Sequence, residues 1–258
     1  MKIVNYSGSA FILILTLSLF TMGCKKFTGI DGNGHIVTEG RNTVSFNKIA
    51  NEANFDVYYI KAPDFRVDVV AESNLIPHIR TIVNGNTLEV DSRKNLRNNY
   101  PIKIYVYSPV LRAVYLSGSG TIATGMIDEA EFEAVLSGSG SIFGDVYCNY
   151  FNSHLSGSGE MDFVVNAEQI AASISGSGRI KLIGEAISGD YRISGSGSIM
   201  AFSMHLAECF ARISGSGSIY TRVYDYLEAI ISGSGNIHYA GSPVVDANVT
   251  GSGKILPE

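Results

Sequence analysis

Ser194-Gly195-Ser196-Gly197, with Ile193 just before it and Ile199 two residues after it, is one copy of the motif that decides the fold. Ser-Gly-Ser-Gly occurs seven times, starting at Ser117, Ser137, Ser156, Ser175, Ser194, Ser214 and Ser232, and a variant begins at Thr250. The intervals are 20, 19, 19, 19, 20, 18 and 18 residues. A Gly/Ser linker would be contiguous and would lack apolar neighbours. Here the copies are preceded by Leu116, Leu136, Leu155, Ile174, Ile193, Ile213, Ile231 and Val249. Two residues after each come Ile122, Ile142, Met161, Ile180, Ile199, Ile219, Ile237 and Ile255. One glycine corner per turn at this period specifies a β-solenoid.

Reading back from each corner, alternate positions are apolar. The fifth residue back is Phe132, Phe151, Ile170, Gly189, Cys209, Leu227 or Val245, and the third is Ala134, Ser153, Ala172, Tyr191, Ala211, Ala229 or Ala247. Residues between them, such as Glu133, His154, Ser173 and Arg192, are mostly polar. A period of two marks a strand with one buried face. Strands stacked in parallel at about 4.8 Å align equal positions into ladders. The fold expected is therefore all-β, a parallel β-helix with two aliphatic stripes flanking its corners. A propeller blade needs roughly 40–50 residues, and a leucine-rich repeat needs its Leu and Asn/Cys consensus, so both are excluded. The second glycine of each corner is expected at positive φ, where only Gly sits without steric cost. The corner serines are expected to bond one another or the backbone as a hydroxyl ladder.

The first residues read as an export signal. Lys2 begins a short basic region, and Ala10 to Met22 is apolar but too short to span a bilayer. Gly23-Cys24 has the small-residue-then-Cys form of a lipoprotein signal, in which Cys24 becomes the lipidated N-terminus, although Thr21 stands where Leu is usual. The organisation expected is a signal peptide over 1–23, a tether over 24–33, a strand-rich N-terminal cap over 34–110 and the regular solenoid over 111–258. Within the cap, Phe55–Ile60, Phe65–Val70, Thr87–Asp91 and Ile102–Tyr107 alternate as strands, and Asn84-Gly85 marks a tight hairpin turn. At the other end, Pro257 and the charges of Lys254 and Glu258 blunt the last edge.

Gly34-His-Ile-Val, Arg41 to Ile49, Phe55-Asp-Val-Tyr58 and Asn84-Gly-Asn-Thr-Leu88, followed by the repeated Ser-Gly-Ser-Gly-x-Ile, resemble the auto-transporter adhesin family with a head GIN domain. The resemblance covers about residues 32–256. It implies a β-helix with a strand-rich N-terminal part, in secreted or lipid-anchored proteins of Gram-negative bacteria, with an adhesin-like role. The family supplies no catalytic residues to carry over.

A net charge of −5 gives no basic footprint, so nucleic acid is not an expected partner. The five histidines share no spacing, and no Cys-x-x-Cys, His-x-x-x-His or Gly-x-Ser-x-Gly pattern occurs. Cys148 and Cys209 lie three coils apart, about 14 Å, too far for a disulfide, so they are expected to be unpaired buried hydrophobes. Polysaccharide-active β-helices gather acids and bases on adjacent coils. The nearest equivalents here are Glu228 beside Asp246, and Arg192 beside Arg212 with Asp190 two residues from Arg192. The arginine pair is a candidate grip for a sugar acid. Glu160 and Arg179 face each other on consecutive coils and are expected to set register.

Exposed tyrosines, Tyr147 and Tyr150 and chiefly Tyr220, Tyr224, Tyr226 and Tyr239, are expected to form a strip on a flat face, a platform for carbohydrate or protein. No catalytic, cofactor or metal residues are expected. The leading expectation is a non-enzymatic, adhesin-like lipoprotein of the outer membrane. Lys25-Lys26, in place of acidic residues after Cys24, tilts it towards the periplasm. The alternative is a glycan-active β-helix enzyme.

Overall fold

The computed structural model describes residues 29–258. Cys24 and the expected export signal lie outside them. The described chain is a stack of parallel β-coils, with one short 3-10 turn at Ile76–His78. From Ser141 onward each coil is almost continuous strand: Ser141–Leu155, Glu160–Ile174, Arg179–Gly195, Ser198–Gly215 and Ser218–Gly233. The repeat period thus becomes one physical turn of a solenoid.

Both stripes form. Ile122, Ile142, Met161, Ile180, Ile199, Ile219, Ile237 and Ile255 pair coil by coil. All are fully buried except Ile255, which is half-buried in the last coil. Val57 and Ile104 prolong this ladder beyond the repeats. Leu116 to Ile231 form the second, equally dry stripe, but Val249 is 42% exposed because no coil covers it. One ladder position breaks chemistry: Asn51 pairs with Leu116 yet is buried. Its Nδ2 donates to the Phe55 carbonyl and its Oδ1 accepts from the Ala53 amide. The side chain itself thus holds the corner at 51–55, which has no Ser-Gly-Ser-Gly.

The corners differ from expectation in two ways. Where a corner glycine has positive φ it is the first, not the second: +145° at Gly195, +137° at Gly215 and +134° at Gly233, while Gly118, Gly138 and Gly176 do without it. Both glycines are required for close approach. A Cβ on Gly197 would stand 2.7 Å from the Gly178 carbonyl oxygen of the coil below. Nor do the corner hydroxyls form a ladder. No corner serine hydroxyl bonds another described residue, and both serines of the Ser194 corner are exposed. Backbone amides stack the corners, with Ser196 N donating to Gly176 O at 2.9 Å and Ser198 N to Gly178 O at 3.0 Å.

At the N-terminal end the rungs are laid down out of chain order. Lys48–Asn51 and Asp56–Lys61 lie between the later strands Ala113–Leu116 and Thr121–Asp128 on one side and Thr87–Ser92 and Lys103–Ser108 on the other, all parallel. Antiparallel strands then close the end: Ile79–Asn84 on Thr87–Ser92, Arg66–Glu72 on Lys103–Ser108, and Ile36–Asn42 outermost. Gly85, at φ +59°, opens the two-residue hairpin loop that joins Asn84 to Thr87. Antiparallel closure matters because an open parallel edge invites further pairing.

Candidate ligand-binding surface

Inward positions step by two along each strand until the far side of the coil, where two outward residues come in succession: Asn149-Tyr150, Glu168-Gln169, Ile187-Ser188 and Ala207-Glu208. The chain turns there without a fixed motif. Just before this second corner, Tyr147, Asn166, Glu185 and His205 stand in one register on consecutive coils. Tyr224 reaches back from the next coil, and its hydroxyl shares a 2.7 Å hydrogen bond with His205 Nδ1. Asn166 Nδ2 donates to Glu185 at 3.3 Å.

Asn166, Glu185, His205 and Tyr224 border a groove of 510 Å³ with Ala167, Ala186 and Ala207 among its lining residues. Small residues leave room there, while the Tyr224 ring (47% exposed) and Ile187 (62% exposed) offer apolar surface. Glu185 and Asp225 supply carboxylate acceptors. An aromatic face beside a few convergent polar groups suits a sugar ring, whose C–H face stacks while its hydroxyls find partners. The two carboxylates favour neutral or amino sugars over acidic ones.

The four tyrosines expected as one strip are not gathered together. Tyr220 lies on the outer face after the corner, stacked on His238 with centroids 4.7 Å apart and edge-on to Phe202. Tyr226 lies beyond the second corner against Phe210. Tyr239 is in register with buried Thr221 and packs against the core. Only Tyr224 faces the groove. Glu185, Asn166 and His205 were not singled out by sequence reasoning. A signal existed: Tyr147, Asn166 and Glu185 each stand ten residues after the first Ser of their corner.

Arg192 and Arg212 do come together, in register on neighbouring coils, and line a second groove of 460 Å³ beside the corner serines. Each already has a carboxylate partner. Arg192 Nε and Nη2 donate to the two oxygens of Asp190, and Arg212 Nη2 donates to Glu228 at 2.6 Å. A sugar acid would have to compete with these carboxylates. Glu228 and Asp246 are neighbours in register, as their spacing predicts.

Among the described residues no three His, Cys, Asp or Glu side chains assemble into a metal-binding group. Cys148 and Cys209 are both free. Burial pushes the Cys148 thiol up to about 11 and the Cys209 thiol to about 12, far from nucleophilic thiolates. Glu160 and Arg179 pair at 3.1 Å as expected.

The fold has relatives among solved structures. A "Putative lipid binding protein" from Parabacteroides distasonis ATCC 8503 is 27% identical with a TM-score of 0.84, covering 89% of this chain and 99% of that one. A "putative adhesin" from Parabacteroides merdae ATCC 43184 is 26% identical, with the same TM-score and the same coverage. A further "putative adhesin" from Parabacteroides distasonis ATCC 8503 shares the fold at 23% identity, TM-score 0.83 and 89% coverage of this chain and 100% of that one. No curated protein sequence matches. A family model matches residues 45–243, and on that match the chain belongs to the family described as "Putative auto-transporter adhesin, head GIN domain".

Proposed function

We propose that this chain is a non-enzymatic, adhesin-like binding module of the cell envelope whose ligand is a neutral or amino-sugar glycan held at the Tyr224 groove. The observation that carries the reading is the groove itself: an exposed aromatic ring, carboxylate acceptors and a lining of small residues, all on rigid stacked coils. Family membership and the adhesin-named relatives support the binding role. A lipid on Cys24 would fix the module to the outer membrane, and Lys25-Lys26 favours the periplasm-facing side.

A glycan array probed with the full chain tests the ligand. Binding is expected to neutral or amino-sugar oligosaccharides, and Tyr224→Ala should weaken it about tenfold, the worth of one aromatic contact. Binding confined to proteins, or glycan binding indifferent to Tyr224→Ala, overturns this assignment. Turnover of any polysaccharide that is lost with Asp190, Arg192 or Arg212 overturns the non-enzymatic reading. Release of Cys24→Ala protein from the membrane fraction tests the anchor.

A further inference from the structure

We infer that the outer face of the sheet following the Ser-Gly-Ser-Gly corner is a self-association surface, and that its partner is a second copy of this chain. The inference does not depend on the glycan groove, which lies at the opposite corner.

Two outward columns run along this face. One contains Ser141, Glu160, Arg179 and Ser198 on successive coils, and the other Phe143, Asp162, Lys181 and Met200. In these two columns the paired charges lie on two adjacent rungs at the centre; farther out, over eight rungs in all, stand only Asp56, beside Tyr58, and Asp145, next to Phe143. One rung carries Glu160 and Asp162, and the next carries Arg179 and Lys181, each ion-paired to its neighbour at 3.1 Å. The rungs on either side are uncharged in both columns and expose apolar side chains, Phe143 at 43% and Met200 at 37%.

The arrangement is self-complementary under one operation. Take a two-fold axis in the interface plane, parallel to the strands and midway between the acidic and basic rungs. It lays each copy's Glu160 and Asp162 over Arg179 and Lys181 of the other copy. It also lays Phe143 over Met200. Farther out, Ala123 meets Tyr220, and Tyr58 with Asp56 meets His238 with Asn236, so no like charges oppose one another across these eight rungs; the like-charged Lys103 and Lys254 fall on the rungs beyond them. The intramolecular pairs become an alternating array in which every carboxylate has two cations. An isologous contact of this kind is the commonest route to a closed dimer. A two-fold along the solenoid axis would instead set acid over acid, so the charges also dictate antiparallel coils.

The size is adequate. Eight rungs at about 4.8 Å by about five residues at roughly 3.3 Å give about 640 Å² per copy. That is about 1,300 Å² in total, at the lower end of stable interfaces.

Light scattering coupled to size-exclusion chromatography on the full chain tests this. Wild type is expected to be dimeric at about 100 µM, well above a micromolar dissociation constant. Glu160→Lys with Asp162→Lys makes the centre wholly basic, and Arg179→Glu with Lys181→Glu makes it wholly acidic. Each double variant alone should lose the dimer, with dissociation constants raised more than about tenfold. An equimolar mixture of the two should restore it as a heterodimer, which a merely misfolded variant could not do. Met200→Lys, a conservative change in bulk at an exposed site, should weaken the dimer even if a charge variant folds poorly. A monomeric wild type, dimeric charge variants, or a mixture that stays monomeric would each overturn the inference. Binding of monomeric wild type to glycan or to lipid vesicles through this face would overturn it too.

Discussion

Gly197 rests directly on Ile174 of the coil below: a Cβ at Gly197 would stand 2.7 Å from Ile174 Cγ2 and equally close to the Gly178 carbonyl oxygen. Gly217 has the same relation to Ile193, and Gly235 to Ile213. Both glycines of a corner thus let successive coils reach hydrogen-bonding distance, since a Cβ on Gly195 would stand 2.5 Å from Gly176 O, and at Gly195, Gly215 and Gly233 the first also takes positive φ.

Gly197→Ala should destabilise by about 1–3 kcal/mol through overpacking, although its φ suits any residue. Gly195→Ala should destabilise at least as much, because it adds backbone strain at φ +145° to an approach of 2.5 Å to Gly176 O. Ser196→Ala should lie within about 0.5 kcal/mol of wild type, because its exposed hydroxyl holds no partner. Thermal melts of the three variants decide. A large loss for Ser196→Ala would restore the hydroxyl ladder that the structure lacks.

The aliphatic ladder makes a second ranking. Ile199 is fully buried with a rung on each side, so Ile199→Ala should cost about 2–5 kcal/mol. Ile255 is half-buried with a rung on one side only, and its replacement by Ala should cost well under that. Equal shifts in melting would contradict a stack held by nearest neighbours.

The solenoid was legible because each corner carries its own local punctuation and the same aliphatic flanks. Ile122 and Ile237 land in one ladder for reasons visible within a few residues of each. The N-terminal rungs were not legible in this way. Lys48–Asn51 sits between strands that come later in the chain, and nothing near Ile49 encodes partners at Leu88 and Val114. Asn51 reads as a surface polar residue until its two corner hydrogen bonds are seen. The Tyr224 groove was illegible for a related reason: the second corner has no motif, and the tyrosine count drew attention to Tyr226 and Tyr239, which point elsewhere. The position of the positive φ within Gly-Ser-Gly also could not be read, since both glycines are equally permissive.

Tyr191 is the bulkiest fully buried side chain, placed in register between Ala172 and Ala211. Gly189 makes room for it: a Cβ there would be 3.3 Å from Tyr191 Cζ and 2.7 Å from Leu206 Cδ1. The Tyr191 hydroxyl finds no hydrogen-bond partner among the described residues. Burying an unpaired hydroxyl costs about 1–3 kcal/mol, so Tyr191→Phe should raise stability by about 1 kcal/mol. Gly189→Ala should lower it. In the Gly189→Ala/Tyr191→Ala double variant the two losses should not add, because both act on one packed site. Denaturant midpoints measure each, and a Tyr191→Phe protein less stable than wild type would show the hydroxyl to be bonded.

Glu72 ties the N-terminal closure together and makes it acid-sensitive. Its carboxylate is buried and accepts from the Gly34 amide at 2.6 Å and from the Asn99 amide and Nδ2, both at 2.8 Å. The Asn99 side chain, helped by the backbone amides of Gly34, Asn99 and Tyr100, holds its pKa below the ordinary value of 4.5 against the opposing effect of burial. A carboxylate with a lowered folded pKa contributes stability that is fully present above its unfolded pKa and is lost as pH falls through the folded one. Glu72→Gln presents an amide N–H to groups that are themselves donors, so it should melt below wild type at neutral pH. That gap should be widest above pH 4.5 and should narrow as the solution is acidified, because protonated Glu72 has lost the same interactions. Melting curves of both proteins from pH 7 down to about 3 test the linkage. A gap that stays constant across this range would mean that Glu72 acts by shape alone.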